Sequence, residues 1–563
     1  MGTSATDGSG RLDYAIAGAG VSGLYTAWRL SRHAQERGAP APSIAVYESG
    51  DRIGGRLLTW LPMGKSAGLR AELGGMRFLD NQLLVKGVLD ALGFTAADIV
   101  PFPVQGENLR LLLRGVSAPL AGPHPTARYL LPESEQGQTA DQLIAGIIDE
   151  VLATPENKAA IDAHLGGQAP TSRQQWDVLK PYLTWRGTPL WDVGFWNLVS
   201  DVRSAETYEY IFDALGYYTL ASNRNAAEAM QSLNLHFVAV AYHALRQGYE
   251  ALPATLAEQA TAAGAEVHCN TRLVGFEPAA DGSSALTLEG PDGRFGIEAE
   301  HLVLAMQRRG LELLAPSAGF DLQGDARLRG LIESVMPMLA FKLFMFYEER
   351  WWERYGITVG QSICDLPIRQ VYYIPPDPPA AGQPAPAFGL LMASYDDARS
   401  VDYWQGLIPR AEVLGQGRAE LVEALAGMAE RAGVATNDLV DPPPHLHKAT
   451  DEMLRHAKQQ LALLHAIPED EIPEPVVGAF ADWGLDPFGG GWTSWAPQVN
   501  VKEAMTAIKT PLGPERRVYV VGDGYSGVPG WVEGALSATE VVLEEHLGLE
   551  RPPWLPADYY LGW

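Results

Sequence analysis

Three glycines, Gly18, Gly20 and Gly23, stand in the run GAGVSG, directly after the apolar stretch LDYAIA. This spacing suits a strand-to-helix turn that receives a pyrophosphate. The first glycine permits the tight turn, the second lets backbone amides approach the phosphates, and the third lets the helix pack close to the strand. Glu48 ends the next apolar stretch, SIAVYE, where a carboxylate can accept hydrogen bonds from a ribose. The separation exceeds the usual spacing of about 20 residues, and the loop ERGAPAPS takes up the excess. A carboxylate there disfavours a 2′-phosphate, so NADP is not expected. GDRIGGRLLT follows at once, with Gly55 for close backbone approach and Arg56 as a guanidinium for phosphate. Near the other end, VYVVGDG places Gly522 and Asp523 at the end of a second apolar strand. Backbone amides around Trp531 and Val532, at the start of a helix, are suited to negative charge.

Two cations raise a different question. Arg77 follows two glycines and sits among apolar residues in AELGGMRFLD. It is either a surface charge after a turn or a guanidinium held in an apolar pocket for an anion. Lys342 alternates with apolar neighbours in LAFKLFMFY. It either points to water from an edge strand or is buried, which is costly without a partner.

The elements that would position these residues are legible in outline. LDYAIA, the helix from Leu24 and SIAVYE make a βαβ start. HLVLAM near 300 and VYVV near 520 are strands of the same style. One sheet interrupted by insertions explains that order better than three domains do, and nucleotides bind outside the carboxyl ends of such strands. Residues 136–247 read as mostly helical, including NRNAAEAMQSLNLHFVAVAYHALRQG, and residues 330–400 as strand-rich, with a proline-rich loop at 371–388. The expected class is α/β: a Rossmann-like nucleotide-binding domain (1–80, 240–310, 500–550), a mixed-sheet substrate domain (81–125, 311–499) and a helical insertion domain (126–239).

Composition bounds the rest. The chain has 563 residues, 47% hydrophobic and 20% charged, which suits a large globular protein with substantial cores. With 42 Lys+Arg against 68 Asp+Glu the formal charge is −26, so nucleic acid is not an expected partner. Only two cysteines occur, Cys269 and Cys364, which excludes a disulfide framework. The histidines lack metal-ligand spacing, and His236 reads as a surface or satisfied core histidine. The polar start MGTSATDGSG and the absence of a long apolar run favour a cytoplasmic protein with no membrane partner. The aromatic terminus PPWLPADYYLGW is expected to dock on the protein's own surface.

Taken in order, GxGxxG, Glu48, GGR, ELGGMRF, RQGYEALPATL, VHCNTRLVGFE and VVGDGYSGVPGWVEGAL resemble the flavin-containing amine oxidases, and within them the FAD-dependent L-amino-acid oxidases. The resemblance spans nearly the whole chain. It implies FAD as cofactor, with Val267 near the adenine and Asp523 near the ribityl chain or pyrophosphate. Gly75, Met76 and Arg77 pass the flavin ring, Trp492 (rather than Trp495) approaches it, and Trp531 and Val532 face its N1–C2=O side. FAD is expected to be non-covalent, because SGVPGW lacks the cysteine that covalent members carry before this helix.

The resemblance also implies the chemistry. Arg77 would pair with a substrate α-carboxylate, helped by Tyr395, with Tyr372, Gly530 and Trp531 lining the pocket. Lys342 would hold a water at the flavin and assist reaction with dioxygen. The expected reaction is oxidative deamination of L-α-amino acids to 2-oxo acids, with ammonia and hydrogen peroxide, favouring bulky or apolar side chains. An L-amino-acid 2-monooxygenase and a polyamine or monoamine oxidase remain as alternatives. A homo-oligomer, a dimer by resemblance, is expected.

Overall fold

The structure is a computed structural model. It describes residues 11–562 except 65–67, 103, 237–240, 318, 377–387, 410, 432, 434–439 and 486. Five strands far apart in sequence lie side by side in one parallel array. Their order is Glu266–His268, Ile44–Tyr47, Leu12–Ala17, Gly293–Leu304 and Val518–Val520. Ile44–Tyr47 and Val518–Val520 are buried throughout, which is why they read as short continuous apolar runs. The amino-terminal half of Gly293–Leu304 continues into an antiparallel meander with Arg272–Pro278 and Ser284–Gly290. The helices Val21–Glu36, Ala251–Ala262 and Val532–Glu545 pack together against this sheet.

A second sheet of eight strands stands beside it. Its centre is Ala340–Tyr347, buried throughout and flanked by Val477–Asp482 and Gly389–Asp397, with Gln370–Ile374 beyond. The strand Gln370–Ile374 runs into the stretch expected as proline-rich loop, and residues 377–387 of that loop lie outside the described residues.

Helices between Ala140 and His236 form their own apolar core around Trp176, Phe195 and Ile211. The expected helical run does not continue to residue 247. Tyr242–Leu245 is a strand that pairs on both sides, with Phe78–Leu79 and Ile99–Pro101. Its apolar alternation was too short to distinguish from helix, and partners more than 140 residues away decide its form.

The carboxyl terminus docks as expected. Trp554 packs on Trp28 with the Arg32 guanidinium 4.7 Å from its ring, and the Leu561 carbonyl accepts from Arg173 Nη2 at 2.6 Å. Beneath it, Arg29 Nε donates to buried Glu540 at 2.6 Å and ties the first helix to the last. Among the described residues no helix is long and apolar enough to cross a membrane.

Candidate active site

The glycine turn forms as its spacing predicts. Gly18 has φ +110°, and a Cβ there would lie 2.4 Å from the Ala305 carbonyl oxygen. A Cβ on Gly23 would lie 1.9 Å from the Gly18 oxygen, so helix and strand can approach only without it. Gly20 is the N-cap of Val21–Glu36, and no side chain caps that end. An added Cβ on Gly20 would meet nothing nearer than the Gly55 Cα at 3.9 Å, so this face is open. Open space, uncapped amides and the helix dipole together fit a pyrophosphate. Glu48 stands over the same turn, accepting from the amides of Ala19 at 2.9 Å and Gly50 at 2.8 Å. Val267 lies on the edge strand beside Val46.

Arg56 reaches across from the neighbouring loop. It donates to the Gly491 carbonyl at 2.7 Å and forms an ion pair with Asp523. Asp523 also accepts from Gln307 Nε2 at 3.1 Å and from the Gly530 amide at 3.0 Å. Its carboxylate therefore joins three distant segments and holds the turn before the last helix. Gln307, which had no role in the sequence reading, acts through this aspartate. That helix begins at Val532 with Trp531 as an N-cap lacking a side-chain bond. The adjacent Glu533 carboxylate points away, accepting from the Leu84 and Val85 amides at 3.1 and 2.8 Å. The amides at Trp531 and Val532 are thus left for a ligand. Two uncapped helix ends and the glycine cradle fit FAD.

The glycines of GGMRF also meet a neighbouring loop of the chain. A Cβ on Gly74 would lie 1.9 Å from the Arg56 carbonyl oxygen, and one on Gly75 would lie 2.6 Å from the Leu57 side chain. On the protein side, the close approach is to the Arg56 carbonyl and the Leu57 side chain. Three consecutive carbonyls of this segment are held. Lys342 Nζ donates to Glu72 at 2.8 Å and Gly74 at 2.7 Å, and Trp483 Nε1 donates to Leu73 at 2.7 Å.

Lys342 is thus the buried case. It has 2% exposure and lies 4.5 Å from the Tyr395 ring, which is opposite it on the next strand. Burial lowers its pKa, with Glu72 opposing and Arg77 adding to the fall. Burial raises that of Glu72, whose carboxylate accepts from Thr59 Oγ1 at 2.9 Å and the Tyr249 amide at 3.0 Å. Met76 is buried beside them, its sulfur 3.7 Å from Lys342 Nζ.

Arg77 lies in an aromatic box. Its guanidinium carbon is 4.4 Å from the Tyr242 ring, 5.3 Å from Phe102 and 5.9 Å from Tyr372. Nη1 donates to the Tyr372 hydroxyl at 3.2 Å. Among the described residues it has no carboxylate partner. Tyr372, expected only to line the pocket, is therefore the tyrosine that touches Arg77. Tyr395 stands one ring further on, its centroid 6.3 Å from that of Tyr372. Burial raises its hydroxyl to about 12, so it stays neutral.

Tyr217, Tyr242 and Phe102 were missed in the sequence. Tyr217 comes from the helical segment and meets Tyr395 edge-on at 5.3 Å and Trp492 at 6.0 Å. Trp492 is half-buried and packs against Gly530 (φ +82°). Trp495 is buried with Nε1 on the Ser526 carbonyl at 3.0 Å, whereas Trp492 is the partly exposed one of the two and stands beside Tyr217. The side chain of His236 lies outside the described residues. Among the described residues no group of three or more His, Cys, Asp or Glu side chains is arranged to hold a metal ion.

Comparison with known proteins agrees with this geometry. The family model described as flavin containing amine oxidoreductase matches residues 21–443. Aplysianin-A of Aplysia kurodai is 23% identical over 96% of this chain and 92% of that protein. The L-amino-acid oxidase of Pseudechis australis is 19% identical over 95% of this chain and 87% of that protein. In fold, the chain is similar to putrescine oxidase bound to putrescine, with a TM-score of 0.61 and 17% identity over 95% of this chain and 99% of that one. With a match over most of its length and a cradle that fits FAD, the chain belongs to the flavin-containing amine oxidoreductase family.

Proposed function

We propose that this protein is an FAD-dependent L-amino-acid oxidase that favours bulky or apolar side chains. The observation that carries the reading is Arg77, a guanidinium boxed by aromatic rings with no carboxylate partner among the described residues. Such a charge attracts an anion strongly, because little water competes for it. A substrate α-carboxylate supplies that anion; a simple polyamine or monoamine does not. FAD, when bound, accepts the electron pair of the Cα–H bond and passes it to dioxygen, giving hydrogen peroxide.

The chain's own residues do the positioning. Arg77 and the Tyr372 hydroxyl would fix the carboxylate, and a fixed carboxylate restricts where Cα can lie. Tyr395, Trp492 and Trp531 wall the side-chain space and exclude water. The nearby guanidinium and the low-dielectric wall lower the pKa of a bound ammonium group, so the amine is held neutral with its lone pair available. Tyr395 is neutral and Lys342 is tied to two carbonyls, so neither is arranged to abstract the Cα proton.

A panel of the twenty L-amino acids tests the reading, with peroxide, ammonia and 2-oxo acid measured together. Equal amounts of all three from L-leucine or L-phenylalanine are expected. An amide product would move the reading to a 2-monooxygenase, and activity only on amines lacking a carboxylate would end it. The same preparation tests how FAD is held. Neither cysteine lies in residues 526–532, and Cys364 is buried in the second sheet. Acid precipitation is therefore expected to leave all the flavin in the supernatant; flavin remaining with the pellet would contradict non-covalent binding.

A further inference from the structure

The turn that carries Tyr217 is fastened to the second sheet at an unusual number of points. Gly216, with φ +80°, offers its carbonyl to Arg369 Nε and to Gln370 Nε2, each at 3.3 Å. Arg369 is fully buried and also donates to the Phe212 carbonyl at 3.0 Å and the Cys364 carbonyl at 2.9 Å. On the other side, Asp397 accepts from the amides of Tyr218 and Thr219, both at 2.8 Å, and from the Thr219 hydroxyl. Tyr217 lies between these clamps.

The clamping residues have a telling position. Gln370 is two residues before Tyr372, and Asp397 is two residues after Tyr395. The two strands that present the pocket tyrosines therefore also grip the turn that presents a third. Gln370 Oε1 further accepts from the Tyr372 hydroxyl at 3.2 Å. The Tyr217 ring meets that of Tyr395 edge-on at 5.3 Å, and its charge environment includes Tyr395 and Arg77. Burial raises the pKa of Tyr217 and Tyr372 well above the ordinary tyrosine range, so both remain O–H donors. The Arg77 guanidinium and the rings of Tyr217, Tyr372 and Tyr395 come together, and among the described residues no carboxylate is hydrogen-bonded to them. Tyr372 already donates to Gln370, but Arg77 has N–H groups beyond the one on Tyr372 and Tyr217 has its own hydroxyl, and an acceptor with two oxygens can serve both.

Resting on the amino-acid reading above, we propose that Tyr217 is a substrate-binding residue supplied by the helical segment, its hydroxyl completing with Arg77 and Tyr372 the site for the α-carboxylate. Arg369, Gln370 and Asp397 are positioning residues that set its place. The carboxylate is then received by three separate parts of the chain.

The test uses the FAD-loaded enzyme and an unreactive probe, 3-phenylpropanoate, with its primary amide as the uncharged counterpart. Binding is read from the flavin absorption spectrum. Wild type is expected to bind the carboxylate and to discriminate against the amide. Tyr217→Phe keeps the ring and removes only the hydroxyl. It is expected to weaken carboxylate binding about 10-fold or more, as for loss of a hydrogen bond to a charged group, and to leave amide binding, FAD content and Tm unchanged. Tyr373→Phe is the control, since its hydroxyl lies on the same strand but bonds Ser362 and His465, each at 3.0 Å.

Equal carboxylate binding by wild type and Tyr217→Phe would overturn the role of Tyr217 and leave the amino-acid reading standing. An equal loss in Tyr373→Phe would show a general structural effect and overturn it as well. Failure of wild type to prefer the carboxylate over the amide would overturn both readings together.

Discussion

Arg77→Ala is expected to raise the KM for an L-amino acid by two orders of magnitude or more while the protein keeps its FAD. A bidentate, charge-assisted pair in a dry site contributes about 3 kcal/mol or more, and each 1.4 kcal/mol corresponds to a factor of ten. The guanidinium contacts rings and one hydroxyl rather than the glycine cradle, so cofactor retention is unaffected. The loss should be selective. Activity on the decarboxylated amine, however weak, should not fall in parallel. Steady-state kinetics on the acid and amine, with FAD content from the absorption spectrum, decide the matter. Near-normal KM on the amino acid would remove the basis of the proposed function.

Lys342→Met is expected to slow reaction of the reduced enzyme with dioxygen about 100-fold, and anaerobic reduction by substrate much less. Lys342 Nζ stands against the Gly74–Met76 segment, and it is buried where its electrostatic influence is strong. A second effect has the same origin. Met cannot donate to the Glu72 and Gly74 carbonyls, and each buried carbonyl left unpaired costs about 1–3 kcal/mol. Stability should therefore fall even where substrate reduction is preserved. Stopped-flow measurement of the two half-reactions and a urea midpoint separate the effects. Equal slowing of both half-reactions would mean that Lys342 serves only to hold ELGG in place.

Much of the cofactor side was legible because its signals are local. Gly18, Gly20 and Gly23 are read from spacing, and Glu48 from its place at a strand end. The catalytic side was legible only in part. Arg77 stood out because an arginine among apolar residues needs an explanation. Which tyrosine it touches depends on whether Tyr372 or Tyr395 leans toward it, and strand register and side-chain rotamers determine that. Tyr217 was not legible. It sits in ALGYYTLAS, where Gly216 reads as the end of a helix and nothing local marks the next residue as part of a pocket. Its position comes from Gln370 and Asp397, more than 150 residues on. Gly74 and Gly75 were recognised as a close approach, but the approaching partner, Arg56, could be named only once the two loops were placed together. Tyr242 was assigned to a helix for a related reason: its strand exists only because two other strands lie beside it.

The parallel array has a consequence for how the protein is made. Its strands lie at residues 12–17, 44–47, 266–268, 293–304 and 518–520, so the last arrives more than 200 residues after the one it pairs with. At about 5–20 residues per second, the strand at 293–304 waits on the order of ten seconds or more for its partner. During that interval the short edge at Leu302–Leu304 is unpaired and able to join another chain. Asp523, which secures Arg56, emerges later still. The length of that exposure is set by how fast the intervening residues are made, so translation rate bears on aggregation independently of final stability.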